Sequence, residues 1–247
     1  MSLKDLVKQA LLGIGLDVRF AARYDAKTMQ RRLLADVSVR TVVDAGAYHG
    51  EYTDFARQAF PDAEVYAFEP YPDSARMFAE RHGKDARVHL TSAALGDFSG
   101  TAILHVSRLP TWNSLLPTSD GSSIDDPKWV ETVQKIEVPV QTLDQFAAER
   151  KCERIHLLKM DVQGAESKVL LGAVDLLGRG AIDVIYSEVV FHQVYGGGGY
   201  PFEICAVLNR YNYGLFGVYN LDLHRSGRML QADVIFTSPN LTKRMSS

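Results

Sequence analysis

Apolar and polar positions along this chain fall into blocks whose period switches between two and about 3.6. Apolar runs at 41–45, 64–68, 87–92, 154–160, 182–188, 213–219 and 232–237 read as strands. Amphipathic stretches at 51–60, 73–82, 142–150, 164–172 and 202–210 read as helices between them, with Pro72 and Asp73 marking one helix start. Such alternation predicts a parallel sheet covered by helices on both faces. Two segments break the rhythm: 101–107 and 135–140 look like β structure joined by a long polar connection. The last two strands have only a turn-rich link between them, 220–231, so they should pair antiparallel. Leu3, Leu6, Val7, Ala10 and Leu11 recur at helical spacing, and a second helix is expected over 25–36. The expected organisation is an N-terminal helical extension (1–38) and one domain (39–240) carrying a β insertion at about 101–140.

Composition narrows the picture a little. The 247 residues suit one α/β domain with appendages, and 46% apolar with 23% charged residues is ordinary for a globular protein. A formal net charge of −3 argues against a general nucleic-acid binder. Cys152 and Cys205 form neither a metal-ligand spacing nor a disulfide framework, so reduced thiols are expected. The first 15 residues are too short and too charged (Lys4, Asp5, Lys8) for a membrane span and lack a signal-peptide pattern. A cytoplasmic protein is expected, and the triplet Asn240-Leu241-Thr242 is discounted as a glycosylation site. The N-terminal helix is expected to dock on its own domain or across a homodimer.

The first chemical signal is Thr41-Val42-Val43-Asp44-Ala45-Gly46-Ala47-Tyr48-His49-Gly50, followed by Glu69 at the end of the next strand. Glycines let a ligand approach the backbone, a helix N-terminus offers free N–H groups, and a strand-terminal acid accepts bonds from both ribose hydroxyls. Asp44-x-Gly46-x-x-x-Gly50 has two glycines and a leading acid, where a dinucleotide site has three glycines around a pyrophosphate. That acid would repel a pyrophosphate and welcome an ammonium. A ligand with an adenosine ribose and a charged amino-acid tail fits, and S-adenosylmethionine is that ligand. The plainer alternative is a generic strand-to-helix turn with a solvent-facing acid.

The second signal is Leu157-Leu158-Lys159-Met160-Asp161-Val162-Gln163-Gly164-Ala165-Glu166. In a doubly wound sheet whose order reverses beside 41–45, this strand becomes its neighbour and Asp161 faces the same crevice. Asp161 could instead cap the following helix. Lys159 is either an ion-pair partner or a group lining the site, while Gln163 and Glu166 cap the helix or brace the Lys159 region.

With Phe68-Glu69-Pro70 and Ala94-Leu95-Gly96-Asp97 lying in order between them, these runs resemble the FkbM family of S-adenosylmethionine-dependent methyltransferases, from about Thr41 to about Pro239. Gln163 stands where Glu is usual and Tyr48 where Asn is frequent. The resemblance implies a class I, Rossmann-like three-layer fold with a seven-stranded, mostly parallel sheet and an antiparallel last strand. It implies O-methylation of a small-molecule hydroxyl acceptor, such as a sugar or polyketide, with S-adenosylhomocysteine as product. Carried over, Gly46, Ala47 and Gly50 would line the methionine part of the cofactor, with Asp44 near its ammonium. Glu69 would hold the ribose, Ser92 to Asp97 would lie near the adenine, and Asp161 would face the cofactor. Asp97 also fits a plain turn residue in Gly96-Asp97-Phe98-Ser99-Gly100. Phe68, Pro70 and Tyr71 form an apolar wall for the adenine or belong to the core.

Methyl transfer to oxygen needs a proton acceptor. His192, after the strand at 182–188, has a suitable pKa range, and Asp161 is the second catalytic candidate. His49 is expected at the substrate mouth. Asp161 and Glu188 end strands expected to be neighbours and could hold magnesium, which is not the favoured reading. Trp112, Asn113 and Ser114 lie in a stretch that the resemblance places by the acceptor, where Lys159 and Glu188 are also expected. Four glycines between Tyr195 and Tyr200 suit a lid. The rival readings are an NAD-dependent oxidoreductase and a binding module that keeps the fold without catalysis.

Overall fold

The computed structural model describes residues 25–119, 128–198 and 200–245. The helix expected over the first dozen residues and most of the polar connection before Lys128 lie outside them. The first described helix, α1 (Ala26–Leu33), starts at an Asp25 cap whose carboxylate accepts from the Thr28 N–H at 2.9 Å. Strands β1 (Thr41–Ala45), β2 (Glu64–Phe68) and β3 (Val88–Thr91) follow, with α2 (Glu51–Ala59) and α3 (Pro72–His82) between them. A second group comprises β7 (Ile155–Met160), β8 (Ile182–Val190), β9 (Gly214–Leu223) and β10 (Met229–Thr237). Its helices are α5 (Glu166–Leu171), α6 (Val174–Gly178), α7 (Pro201–Asn209) and α8 (Pro239–Met245).

These seven strands form one sheet of order β3-β2-β1-β7-β8-β10-β9. All neighbours are parallel except β10, which runs antiparallel to both β8 and β9. The order reverses between β1 and β7, so a crevice opens at the carboxyl ends of those two strands. Side-chain alternation sends Val43, Leu158 and Ile185 to one core and Val42, Leu157 and Val184 to the other. Burial on both faces explains why these strands read as continuous apolar runs.

The insertion is a separate sheet of order β4-β6-β5, made by β4 (Ala94–Leu95), β5 (Gly100–Ser107) and β6 (Thr132–Gln141). After it, α4 (Leu143–Glu149) is capped by Thr142, which accepts from the Gln145 N–H. The helix expected at 164–172 is α5, with Gly172 at its C-cap, and a second short helix, α6, follows beyond the expected range. A Cβ on Gly172 would meet the Gly96 carbonyl at 2.0 Å, so this break is where the helix pair presses on the insertion. Among the described residues no helix is long and apolar enough to cross a membrane.

Candidate active site

A solvent-open cleft of about 710 Å³ lies over the β1/β7 reversal. Its floor is the turn after β1. Gly46 has φ +72°, and a Cβ there would sit 1.9 Å from the Asp161 carbonyl oxygen, so only glycine lets the two strand-end loops meet. Gly46→Ala should therefore destabilise the protein by about 2–4 kcal/mol, read by urea unfolding. A variant as stable as the parent would mean that the loops do not need this approach.

Glu69 points into the cleft from the end of β2. Its two oxygens accept from the Tyr48 and Tyr71 N–H groups, each at 2.8 Å, which fixes the carboxylate's orientation. Burial raises its pKa above the ordinary 4.5, and the two backbone donors oppose that shift. Tyr48 reaches this bond only by taking φ 50°, a left-handed conformation that Asn tolerates better than Tyr. Phe68, Pro70, Leu95 and Leu104 supply an apolar wall. Asn113 also lines the cleft; its Oδ1 accepts from the Ser107 N–H at 2.8 Å, which leaves its buried Nδ2 without a partner among the described residues. Ser114 faces the cleft too, but its hydroxyl is spent on the Gln163 carbonyl at 2.6 Å.

Asp161 borders the cleft and is not the cap of α5. It accepts from the Gln163 side-chain amide at 2.8 Å. Glu166 performs the loop-closing work instead: its Oε1 accepts from the Val162 and Gly164 N–H groups at 3.0 and 3.3 Å. Burial outweighs these donors and pushes the Glu166 pKa up to about 7. The Gln163 amide oxygen accepts from the Tyr195 hydroxyl at 2.9 Å, and Gln163 itself sits at φ 53°.

Several expected site residues lie elsewhere. Asp44 is fully buried beneath the turn, bonded by the Thr53 hydroxyl at 2.8 Å and ion-paired with Lys159 at 3.0 Å. Its side chain points to the α1/α2 face and does not reach the cleft, so it is no direct partner for a ligand ammonium. Lys159 is likewise buried and donates to the Ala45 and Gly46 carbonyls at 3.2 and 2.6 Å. Burial acts to lower its pKa, but Asp44, Asp161 and Glu69 prevail and raise it. It is a clamp on the turn, not a lining group. Ala47 is buried with Ala67 and Phe78. Gly50 faces away from the cleft: a Cβ would stand 2.4 Å from His82 Nε2, which bonds the Gly50 carbonyl. His49 stacks on Tyr48 at 3.6 Å outside the cleft lining. Ser92 borders a different groove, and Asp97 is exposed in the turn between β4 and β5, so Ala94 and Leu95 occupy the place expected of them. Trp112 packs with Leu116, Val130, Val194 and Tyr195 instead of presenting its face to the cleft. Tyr71 donates its hydroxyl to Asp73 and is absent from the cleft wall. Tyr195, expected to flank a lid, is buried against Gly164.

Glu188 and His192 line a second, smaller cavity that adjoins the cleft at Gln163. The register Met160↔Ser187 places Asp161, just after β7, beside Glu188 on the neighbouring strand as expected, but β8 runs on to Val190, so Glu188 does not end its strand. No three His, Cys, Asp or Glu side chains among the described residues converge in a metal-holding arrangement. What sequence reasoning missed is the polar layer behind the turn. Asp44, Lys159, Tyr186 and Asp233 share one face of the sheet by their alternation; the Tyr186 hydroxyl donates to Asp233 at 3.0 Å, and Tyr52 stacks on Tyr186 while donating to Gln30. The available signal was an acid and a lysine at matching inward positions of neighbouring strands.

Strand order and a ligand cleft at the β1/β7 reversal define the class I methyltransferase fold. Residues 44–215, well over half the chain, match the family described as the methyltransferase FkbM domain, and the protein belongs to that family. The 2-O-methyltransferase NoeI of Sinorhizobium fredii (strain NBRC 101917 / NGR234) is 30% identical over 167 residues, 63% of this chain and 65% of NoeI. The 31-O-demethyl-FK506 methyltransferase FkbM of Streptomyces tacrolimicus is 29% identical over 205 residues, 70% of this chain and 78% of its own. A crystal structure of methyltransferase FkbM from Methylobacillus flagellatus KT shares the fold, with a TM-score of 0.50 at 14% identity over 80% of this chain and 44% of its own. The chain thus spans less than two thirds of the length of NoeI and of the crystallised protein.

Proposed function

We propose that this protein transfers a methyl group from S-adenosylmethionine to a hydroxyl of a small-molecule acceptor. The observation that carries the reading is Glu69: a carboxylate held in the cleft by two backbone donors, opposite a glycine turn at the reversal of strand order. The residues present fit that cofactor. Glu69 offers acceptors for two ribose hydroxyls, Gly46 lets the turn seat against Asp161 at the cleft floor, and Asn113 holds a buried donor with no partner among the described residues. Phe68, Pro70, Leu95 and Leu104 suit an adenine, and Asp161 suits the cationic end. Bound there, the cofactor supplies an electrophilic methyl carbon. The protein's part is to hold the acceptor hydroxyl in line, exclude water and accept its proton. Oxygen as the methylated atom is supported by the relatives named 2-O- and 31-O-methyltransferase.

The test is calorimetric titration with S-adenosylhomocysteine, with NAD in parallel. Micromolar binding of the first and none of the second is expected; NAD binding alone would overturn the reading. Turnover on an acceptor found by screening should survive dialysis against EDTA, since no third His, Cys, Asp or Glu among the described residues joins Asp161 and Glu188 in a metal-holding group. Loss of activity restored by magnesium would replace the proton acceptor with a metal.

A further inference from the structure

The second cavity, about 10 Å³ and so just large enough for one water-sized group such as a hydroxyl, is bordered by Gln163, Glu166, Glu188, His192 and Tyr195. Gln163 lines both cavities, and its amide is held between Asp161 and Tyr195, so the two spaces meet at this one side chain. Of the carboxyls near it, three are committed. Glu166 bonds the Val162 and Gly164 N–H groups, Asp161 takes the Gln163 amide, and Asp233 takes the Tyr186 hydroxyl and the Asn220 amide. The Glu188 backbone is spent on β8 pairing and on the Ser187 hydroxyl, but its carboxylate makes no hydrogen bond with any described residue. It feels the charges of Asp161 after β7, Asp233 on β10, Glu166 on α5 and the cation Lys159 on β7, with His192 and Tyr195 following on its own chain segment. Burial first, then Asp161 and Asp233, push its pKa up to about 8.

We propose that Glu188 is the catalytic base, receiving the proton of an acceptor hydroxyl that enters the chamber beside Gln163. This assignment rests on the methyltransferase reading above. As the acceptor's O–H bond breaks, its proton goes to a Glu188 carboxylate oxygen and the acceptor oxygen bonds the methyl carbon; the S–C electron pair remains on sulfur. One carboxylate and one sulfonium are thereby lost together, and charge is conserved. A carboxyl that ionises reluctantly suits this step, because a nearby cation favours its ionised form and removal of that cation favours the acid.

The experiment compares S-adenosylmethionine and S-adenosylhomocysteine binding by calorimetry in two buffers of different ionisation heat, just below the Glu188 pKa. The cationic ligand should release a larger fraction of a proton than the neutral thioether. Glu188→Gln should erase that difference while keeping S-adenosylhomocysteine affinity near the parent's, and His192→Ala should preserve it. Turnover of Glu188→Gln should fall by roughly 10²–10⁴-fold. Folding is checked by melting. Because the folded pKa of Glu188 is raised, its stability contribution is lost as pH rises from 4.5 through about 8, so Glu188→Gln should lose less melting temperature over that range. A proton difference that is absent in the parent, or unchanged in Glu188→Gln, overturns the assignment. Binding of neither ligand by the folded parent overturns the methyltransferase reading, and this assignment with it.

Discussion

Lys159→Met should cost the fold about 3–5 kcal/mol, because it leaves the Asp44 carboxylate buried without its counter-charge. Asp44 is 0% exposed, and its charged partner is Lys159 at 3.0 Å, with the Thr53 hydroxyl satisfying the other oxygen. The same ammonium donates to the Ala45 and Gly46 carbonyls, so its loss also releases the turn on which the cleft floor rests. In a chain of this size the melting temperature should drop by on the order of 10 °C. Adding Asp44→Asn should recover part of that loss, since an amide keeps an acceptor for Thr53 and removes the orphaned charge. If Lys159→Met melts with the parent, the ion pair is not what holds this layer. A double variant no more stable than the single one would point to the carbonyl bonds instead of the charge.

Glu69→Ala should weaken S-adenosylhomocysteine binding by roughly 100-fold. Two hydrogen bonds to a charged carboxylate are worth about 1.5–3 kcal/mol each, and the released Tyr48 and Tyr71 N–H groups make the lower end of that sum the reasonable expectation. Folding stability should change little, because burial already disfavours the Glu69 carboxylate and raises its pKa. Binding should therefore be lost without unfolding, a separation that calorimetry and a melting curve resolve together. The pH dependence has a definite sign. Since ribose hydroxyls need the ionised acceptor, affinity should fall as pH drops through the Glu69 pKa, which lies above the usual 4.5. Parent-like binding by Glu69→Ala would remove Glu69 from the site and, with it, the main support for the proposed cofactor.

Much of this protein is decided locally and is therefore legible in its sequence. The strands over 41–45 and 64–68 end where the apolar runs end, because burial on both faces demands uninterrupted apolar residues and the small, acidic or turn residues that follow cannot continue them. Proline at the start of α3 and α7 acts through backbone geometry alone, as does the turn before β10. That turn is shorter than the 220–231 expected, because β9 runs on to Leu223 and β10 begins at Met229. The place of Gly46 and Glu69 at the cleft was legible for the same reason: a close turn and a strand-terminal acid are set by their own residue types. What depends on two distant segments meeting could not be read in this way. Asp44 looks like a ligand-facing acid until β7 is laid beside β1, whereupon Lys159 and Thr53 claim it. Gly50 looks like part of a binding loop until α3 brings His82 against it, and Trp112 like a stacking platform until Tyr195 packs over the same loop. A side chain's residue type fixes which bonds it can make, but the approach of other elements decides which groups are spent on the protein itself. At and near the strand ends, tertiary packing committed Asp44, Lys159 and Glu166, and it left Glu69 and Glu188 facing the cavities.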